Sequence, residues 1–252
     1  MTWPTAPVST TNTDASSDSP ANARADILDL QQKVNEMIGV EPVGRLIGVQ
    51  VFSTPGASVY TPTAGTQSVL VECVGGGGGG VGVPSVASGY KSGGSGGWGG
   101  SYAKSRYTSG FSGVTVTVGA GGAGGASTGQ SGFAGGTTSF GSLISCPGGS
   151  SGLYLTPTNS TTAAISYQAP TSAPTGGNIV MHRGEPGGAF FIVNSFVMPL
   201  NGGATALGSW GSHDTVSTGY GAGAPSCYQI YGNSAAAGKP GSDGAVIIYE
   251  FS

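Results

Sequence analysis

Residues 68–80, Ser-Val-Leu-Val-Glu-Cys-Val-Gly-Gly-Gly-Gly-Gly-Gly, decide the fold of this chain. The first seven are rich in β-branched residues and predict a strand, which leads directly into six consecutive glycines. A flexible linker is one interpretation of such a run. The other is an ordered extended helix with three residues per turn, because glycine lets backbones approach closely enough to bond to one another. Gly-Gly pairs recur along the chain without a persistent Gly-X-Y period, which favours ordered glycine-rich loops with polyglycine-II segments and excludes strict collagen.

The same alternation of strand and glycine run extends to both sides of this stretch. Together these patterns predict a mainly β, β-sandwich-like domain with long glycine-rich loops at 75–112, 119–136 and 201–244. The clearest predicted strands are residues 47–52, 58–60, 68–74, 114–118 and 245–251, and weaker candidates are 138–140, 143–145 and 190–193.

A helix is predicted before the β region. Ser19 can cap it, Pro20 can occupy its first position, and Gly39 and Pro42 end it, so the expected helix spans 20–39. Apolar residues recur at spacings of four and three and form one stripe, which either packs on the β domain or meets other copies in a short coiled coil. The residues of this stripe, and thus of the expected oligomer contact, are Ala23, Ile27, Leu30, Val34 and Met37.

Charge is scarce and unevenly distributed. Charged residues make up 8% of the chain, against about 25% in an ordinary domain. Residues 1–45 carry three basic and six acidic side chains, and residues 46–252 carry five of each. Nucleic-acid binding and electrostatic membrane anchoring both need a basic face, so neither is expected.

No targeting or membrane-spanning segment is expected either. Residues 1–20 lack the basic and apolar regions of a secretory leader, and the apolar run at 189–200 is too short to cross a bilayer. The three cysteines, Cys73, Cys146 and Cys227, are an odd number at wide spacing and are interpreted as small buried hydrophobic residues.

Recognition by this chain must therefore use shape, stacking and neutral hydrogen bonds. Aromatic residues interrupt the first and the last glycine-rich insertion, where they either fill space between glycine segments or contact a ligand. The candidate ligand-contact residues, with the nearby basic residues and one histidine, are Tyr90, Lys91, Trp98, Tyr102, Arg106, Tyr107, Trp210, His213 and Tyr220.

Catalytic chemistry has little support in the sequence. Glycan cleavage normally needs two carboxylates, and we expect Glu72 and Glu250 to face solvent from strands. Glu185 and Asp214 remain as a weak candidate pair. Metal-ligand spacings and a Walker loop are absent, so no catalytic residue, metal or other cofactor is predicted.

The order of strands and glycine runs resembles the glycine-rich C-terminal domain of bacteriophage tail-fibre and receptor-binding proteins. The resemblance covers about residues 46–252, and the residues before the predicted helix look like the start of short phage fibre proteins. The stretches that carry it are Val69–Gly80, Val114–Gly125, Gly135–Gly141, Cys146–Gly149 and Gly238–Phe251.

This resemblance implies a homotrimeric fibre protein of the virion, made in the host cytoplasm. Residues 1–19 would be an extended segment that attaches to the phage tail or baseplate, 20–39 a coiled coil, and 40–252 the receptor-binding domain. Its partner would be a bacterial surface receptor: a glycan, lipopolysaccharide or a pilus. The alternatives are a glycan-degrading tail spike and a purely structural glycine-rich virion protein.

Overall fold

The computed structural model is mainly β. Two parts of the predicted N-terminal region lie outside the described residues. They are segment 1–19 and the predicted helix positions Ala23 and Met37. The described ranges are 27–34, 44–165, 171–194, 196–198, 201–212 and 215–252.

A short helix, α1, spans residues 27–34. Its two turns carry an ion pair between Lys33 Nζ and Asp29 Oδ2 at 3.2 Å, one helical turn apart. Ile27 and Leu30 are exposed, so their apolar stripe is not covered by the β domain. The described helix is thus shorter than the predicted 20–39, and eight residues do not amount to a coiled coil of two heptads.

In the described part of the chain, seventeen strands follow α1. The first nine are β1 (Leu46–Phe52), β2 (Gly56–Val59), β3 (Ser68–Val74), β4 (Lys91–Gly94), β5 (Tyr102–Tyr107), β6 (Thr115–Val118), β7 (Thr138–Phe140), β8 (Ile144–Cys146) and β9 (Tyr154–Thr158). The others are β10 (Ala163–Ile165), β11 (Val180–His182), β12 (Phe190–Val193), β13 (Phe196–Met198), β14 (Gly208–Ser209), β15 (Thr218–Gly219), β16 (Tyr228–Ile230) and β17 (Ala245–Phe251).

Two antiparallel sheets form a β-sandwich around the main core. The larger has the order β1-β17-β3-β5-β11 and the smaller β2-β6-β7-β8. Alternate residues of β3 and β17 point inward, where they meet Phe140 and Ile144 of the smaller sheet. The buried cluster contains Tyr60, Val69, Val71, Cys73, Ala103, Phe111, Val116, Val118, Phe140, Ile144, Cys146, Val246 and Ile248.

Part of the first predicted loop is a central strand. Residues 75–112 contain β5, which pairs with β3 and with β11 in the larger sheet. The expectation of one continuous loop is therefore wrong here. The inward residues of β5 are Ala103, Ser105 and Tyr107, and the first two are too small to give the sequence a strong hydrophobic alternation.

Beyond the sandwich, nine extended glycine-rich segments form a lattice in the described part of the chain. They are numbered here in chain order as glycine segments 1 (75–82), 2 (95–101), 3 (119–126), 4 (130–136), 5 (147–153), 6 (184–188), 7 (201–204), 8 (221–225) and 9 (236–244).

Glycine segment 1 bonds to its neighbours with a three-residue period. The N–H groups of Gly75 and Gly78 donate to segment 2, those of Gly76 and Gly79 to segment 4, and those of Gly77 and Gly80 to segment 9. Such a period is expected of an extended helix with three residues per turn. The carbonyls of segment 1 accept from segments 3, 5 and 8, so six neighbours surround it in the order 2, 5, 4, 3, 9 and 8.

Glycine segment 2 extends this lattice. Its N–H groups donate to segments 5, 6 and 8, and segment 7 donates to the carbonyl of Gly97. A Cβ on Gly97 would lie 2.2 Å from the carbonyl oxygen of Gly78, closer than any real contact. Glycine is therefore required where these backbones approach one another.

The sandwich and the glycine lattice are continuous, because β3, β6 and β8 lead directly into segments 1, 3 and 5. Segments 2, 4 and 9 return toward β5, β7 and β17. Strand β1 begins at the far end of the sandwich, where Leu46 pairs with Phe251 and the N–H of Gly44 donates to the carbonyl of Ser252. We call this end the sandwich pole and the opposite end of the lattice the distal pole.

Candidate functional site

The distal pole is built from chain between glycine segments. Segments 1, 3, 5, 6 and 8 run away from the sandwich, and the chain that directly follows each of them lies at this pole. They carry one sheet with the order β16-β4-β9 and another with the order β10-β12-β13. Segment 1 has eight residues, which at about 3.1 Å per residue separates the pole from the sandwich by roughly 25 Å.

The two distal sheets pack together through one face of β12. Phe190 and Ile192 are buried, and a Cβ placed on Gly93 of β4 would lie 2.3 Å from Cε2 of the Phe190 ring. Asn194, in the turn between β12 and β13, has a φ of 47° and so adopts the left-handed conformation that tight hairpins require. The hairpin thus holds alternate residues of β12 in the interior.

The opposite face of β12 and β13 is apolar and open. Phe191 is 38% exposed, Val193 46%, Phe196 77% and Met198 49%. Phe191 pairs across the strands with Met198, and Val193 pairs with Phe196, so the four side chains share one face. Ala164 of β10 pairs with Phe191 and continues it. We call these five residues the tip face.

Further exposed aromatic groups surround the same pole. Tyr231, after β16, is strongly exposed, and Tyr90, before β4, is partly so. Lys91 is half-buried in β4, opposite Ile230 of β16. Of the candidate ligand-contact residues, the structure brings Tyr90 and Lys91 to this pole.

Two candidate residues lie instead in the interior or in the large sheet. Trp98 is 5% exposed within glycine segment 2. Tyr102 is buried in β5, where its hydroxyl donates to Glu72 Oε2 at 3.0 Å and its ring stacks on His182 at a centroid distance of 5.1 Å. Burial, followed by the charge of Glu72, raises the pKa of Tyr102. Trp98 and Tyr102 therefore contribute to packing between segments.

The other candidates of the first insertion lie at the end of β5. Arg106 is exposed, and its Nη2 donates to Ser68 Oγ at 3.2 Å. The hydroxyl of Tyr107 donates to the carbonyl of Leu143 at 2.9 Å, which links β5 to the turn before β8. These contacts place both side chains on the sandwich rather than at the distal pole.

The candidates of the last insertion lie near the junction of sandwich and lattice. Glycine segment 7 runs toward the sandwich, and Trp210, which is exposed, and Tyr220 follow it. Leu207 and Tyr220 pack against buried Val74 of β3. An open groove of about 540 Å³ is lined there by residues 204–209, Thr218 and Gly219, all of them neutral. His213 lies outside the described residues.

The carboxylates of the large sheet are engaged in the fold. Glu250 is 0% exposed and Glu72 is nearly buried, so the expectation that they face solvent is wrong. Lys104 Nζ lies 2.9 Å from Glu72 Oε1. At Glu250, the face of β17 that was expected to be open to solvent is covered by the chain after β2. This chain folds over β17 and supplies hydrogen-bond donors to the Glu250 carboxylate.

Of the weak catalytic pair, Glu185 lies within glycine segment 6 and is exposed, whereas Asp214 lies outside the described residues. Within the described ranges, no cluster of three or more His, Cys, Asp or Glu side chains could hold a metal ion. The same ranges contain no helix with the length and apolarity needed to cross a membrane.

The cysteines are free thiols. Cys73 and Cys146 are buried between the two sheets, and Cys146 Sγ lies 3.2 Å from the carbonyl of Cys73. Burial raises the pKa of the Cys73 thiol well above its usual value, followed by the influence of Cys146. Cys227 is half-buried and also free. Cys73 and Cys146 match the interpretation as small buried residues.

The tip face was not singled out from the sequence. The apolar run at 189–200 predicted a weak strand, but nothing in it showed which alternate residues would be covered. Phe190 and Phe191 are chemically identical neighbours, and the contact with Gly93, almost a hundred residues earlier, decides which of them is buried. The two-residue break at 194–195 is the one local signal of a hairpin.

The structure defines a class: an antiparallel β-sandwich that continues into a lattice of extended glycine segments. The family model described as a glycine-rich domain matches residues 53–219, about two thirds of the chain. The chain therefore belongs to this glycine-rich domain family. No curated protein matches the chain.

Proposed function

We propose that this protein is a bacteriophage tail-fibre or receptor-binding protein that attaches the virion to a bacterial surface through its distal pole. The observation that carries the proposal is that the start of strand β1 and the exposed distal side chains lie at opposite poles of the β domain. Strand β1 begins at the sandwich pole, and Phe191, Phe196 and Tyr231 are exposed beyond the glycine lattice. Attachment at one end and recognition at the other is what a fibre tip requires.

The glycine lattice suits this role because it is a rigid spacer. Each inner segment bonds to several neighbours through its backbone, so the lattice keeps its form without depending on the side chains of the distal connections. Loops on a rigid scaffold can differ in sequence without disturbing it. The near absence of net charge in residues 46–252 favours recognition by shape and apolar contact.

The N-terminal part of the proposal concerns assembly. Residues 1–19 would bind the phage tail or baseplate, and α1 would belong to a longer coiled coil that joins three chains. The exposed Ile27 and Leu30 support this because an apolar stripe on a short helix is stable in water only when it is covered.

Binding to cells tests the proposed function. Fluorescently labelled full-length protein is incubated with a panel of bacterial strains, and the unlabelled protein competes with phage for adsorption to strains that bind. We expect saturable binding to a subset of strains and slower phage adsorption. Absence of binding to every strain would overturn the proposal, and release of oligosaccharide from the bound cells would support a glycan-degrading spike instead.

A further inference from the structure

The tip face contains no side-chain group that can form a hydrogen bond or ion pair with a sugar or a phosphate. Its members, Ala164, Phe191, Val193, Phe196 and Met198, have no hydroxyl, amide or charged atom in their side chains. A glycan site needs several neutral donors and acceptors, and an anionic headgroup needs Lys or Arg. The chemistry of the tip face therefore matches an apolar partner.

The side chains of the tip face form one continuous exposed apolar area. From the fractional exposures and ordinary side-chain areas, the four large residues present on the order of 300–400 Å² of apolar surface. A continuous patch of this size on a monomer is commonly an interaction site. The patch lies on one rigid hairpin, since the reverse face of β12 is anchored by buried Phe190 and Ile192.

Strand β13 adds a second binding feature. It lies at the edge of its sheet and, among the described residues, pairs with β12 alone. In a two-residue hairpin the pair next to the turn, Val193 with Phe196, exchanges hydrogen bonds, so the N–H and C=O of the next residue, Val197, point away from β12. An extended segment of another protein can bond to this edge, and a lipid or an acyl chain cannot do so in the same way.

We infer that the tip face and the adjacent edge of β13 bind an exposed strand or loop of a bacterial surface protein that presents apolar side chains. The inference rests on the proposed function and narrows its receptor to a protein. The partner's backbone pairs with Val197, and its apolar side chains cover Phe191, Phe196 and Met198. Neither a glycan nor a membrane is the primary ligand.

A pair of matched variants tests the site. The double variant Phe196→Ser/Met198→Ser makes the tip face polar, and Val49→Ser/Val51→Ser makes the same kind of change on β1, where the two valines are 48% and 52% exposed in the sandwich. We expect the first to bind cells at least tenfold more weakly and the second to stay within twofold of the unaltered protein. Unfolding temperatures measured for both show that each variant is folded.

Val197→Pro tests the strand edge, because proline removes the N–H that a partner strand would accept from and is tolerated at edges. We expect at least fivefold weaker binding with an unchanged unfolding temperature. If Val197→Pro unfolds the hairpin, the polar double variant and the treatment of cells still decide the question.

Treatment of the cells tests the class of partner. Proteinase digestion of the bacterial surface should abolish binding, whereas periodate oxidation of surface glycans should not, and vesicles of the strain's own lipids should not compete. Binding that survives proteinase, is lost with periodate or is competed by the vesicles would overturn the inference while leaving the proposed function intact. Equal binding by the polar tip variant would do the same. Failure of the unaltered protein to bind any strain would overturn both.

Discussion

Glu250 shows how a single buried carboxylate holds the chain after β2 on the sandwich. Its Oε1 accepts from the Tyr60 hydroxyl at 2.6 Å and from the Thr63 N–H and Gln50 Nε2 at 3.0 Å. Its Oε2 accepts from the Thr63 hydroxyl at 2.6 Å. Burial alone would raise the pKa of Glu250, but these hydrogen bonds, with that of the Thr63 hydroxyl first among them, outweigh it and lower the pKa.

Replacing Glu250 with Gln should destabilise the protein by about 2–4 kcal/mol at pH 7, since an amide nitrogen would meet donors that now bind a carboxylate oxygen. The free energy of unfolding, measured in urea, checks this. The control is Glu185→Gln, at an exposed position, which should change stability by less than about 0.5 kcal/mol. Equal effects of the two variants would contradict the role of Glu250.

The lowered pKa of Glu250 also predicts a pH dependence. A group whose pKa is lower in the folded protein stabilises it fully above the unfolded pKa, near 4.5, and loses that contribution as the pH falls through the folded pKa. Stability should therefore decline below about pH 4.5, and the decline should be smaller in Glu250→Gln. The same urea titrations at several pH values measure it, and parallel curves for both proteins would exclude Glu250 as the source.

At the scale of elements, the glycine segments depend on close backbone contact rather than on side-chain packing. A Cβ on Gly78 would lie 2.0 Å from the carbonyl oxygen of Ser150, and that oxygen cannot move without disturbing the hydrogen bond it accepts from Trp98. A methyl group therefore pushes whole segments apart, which is costlier than repacking a flexible side chain.

Gly78→Ala should destabilise the protein by about 3 kcal/mol or more, or prevent folding. Gly89→Ala is the matched control: no atom lies within 4 Å of its added Cβ, and the positive φ of 80° alone should cost about 1–2 kcal/mol. Thermal unfolding compares the two. If Gly78→Ala destabilises the protein no more than Gly89→Ala does, the glycine segments can move apart with less loss of stability than their close contacts indicate.

At the scale of the whole molecule, the proposed trimer depends on residues before the β domain. Removing residues 1–40 should convert a three-chain particle into a single folded chain, because Ile27, Leu30 and Val34 would no longer be available to cover one another. Light scattering on the intact and truncated proteins gives their masses. If the truncated protein keeps the mass of three chains, the contacts that hold the oligomer together lie in the β domain instead.

The parts of the fold that could be predicted are those with a strong local pattern. Strands β3 and β17 follow from runs of β-branched residues. For residues 75–80 the sequence left two alternatives, a flexible linker and an ordered extended segment, because glycine adopts many backbone conformations. Strand β5 was missed because small Ala103 and Ser105 alternate with Lys104 and Arg106. For Trp98 the sequence left two alternatives, an interior position between glycine segments or contact with a ligand, because the residues around it come from distant parts of the chain.

The sequence by itself determined that the protein is mainly β, glycine-rich and nearly free of charge, because composition and strand propensity act locally. Only the tertiary structure decided which glycine segments are neighbours and which side chains meet at the distal pole. The physical reason is that every glycine offers the same N–H and C=O, so no side-chain pattern specifies the partners of a segment. The pairing of strands in the sandwich selects them, and thereby exposes Phe191 and buries Phe190.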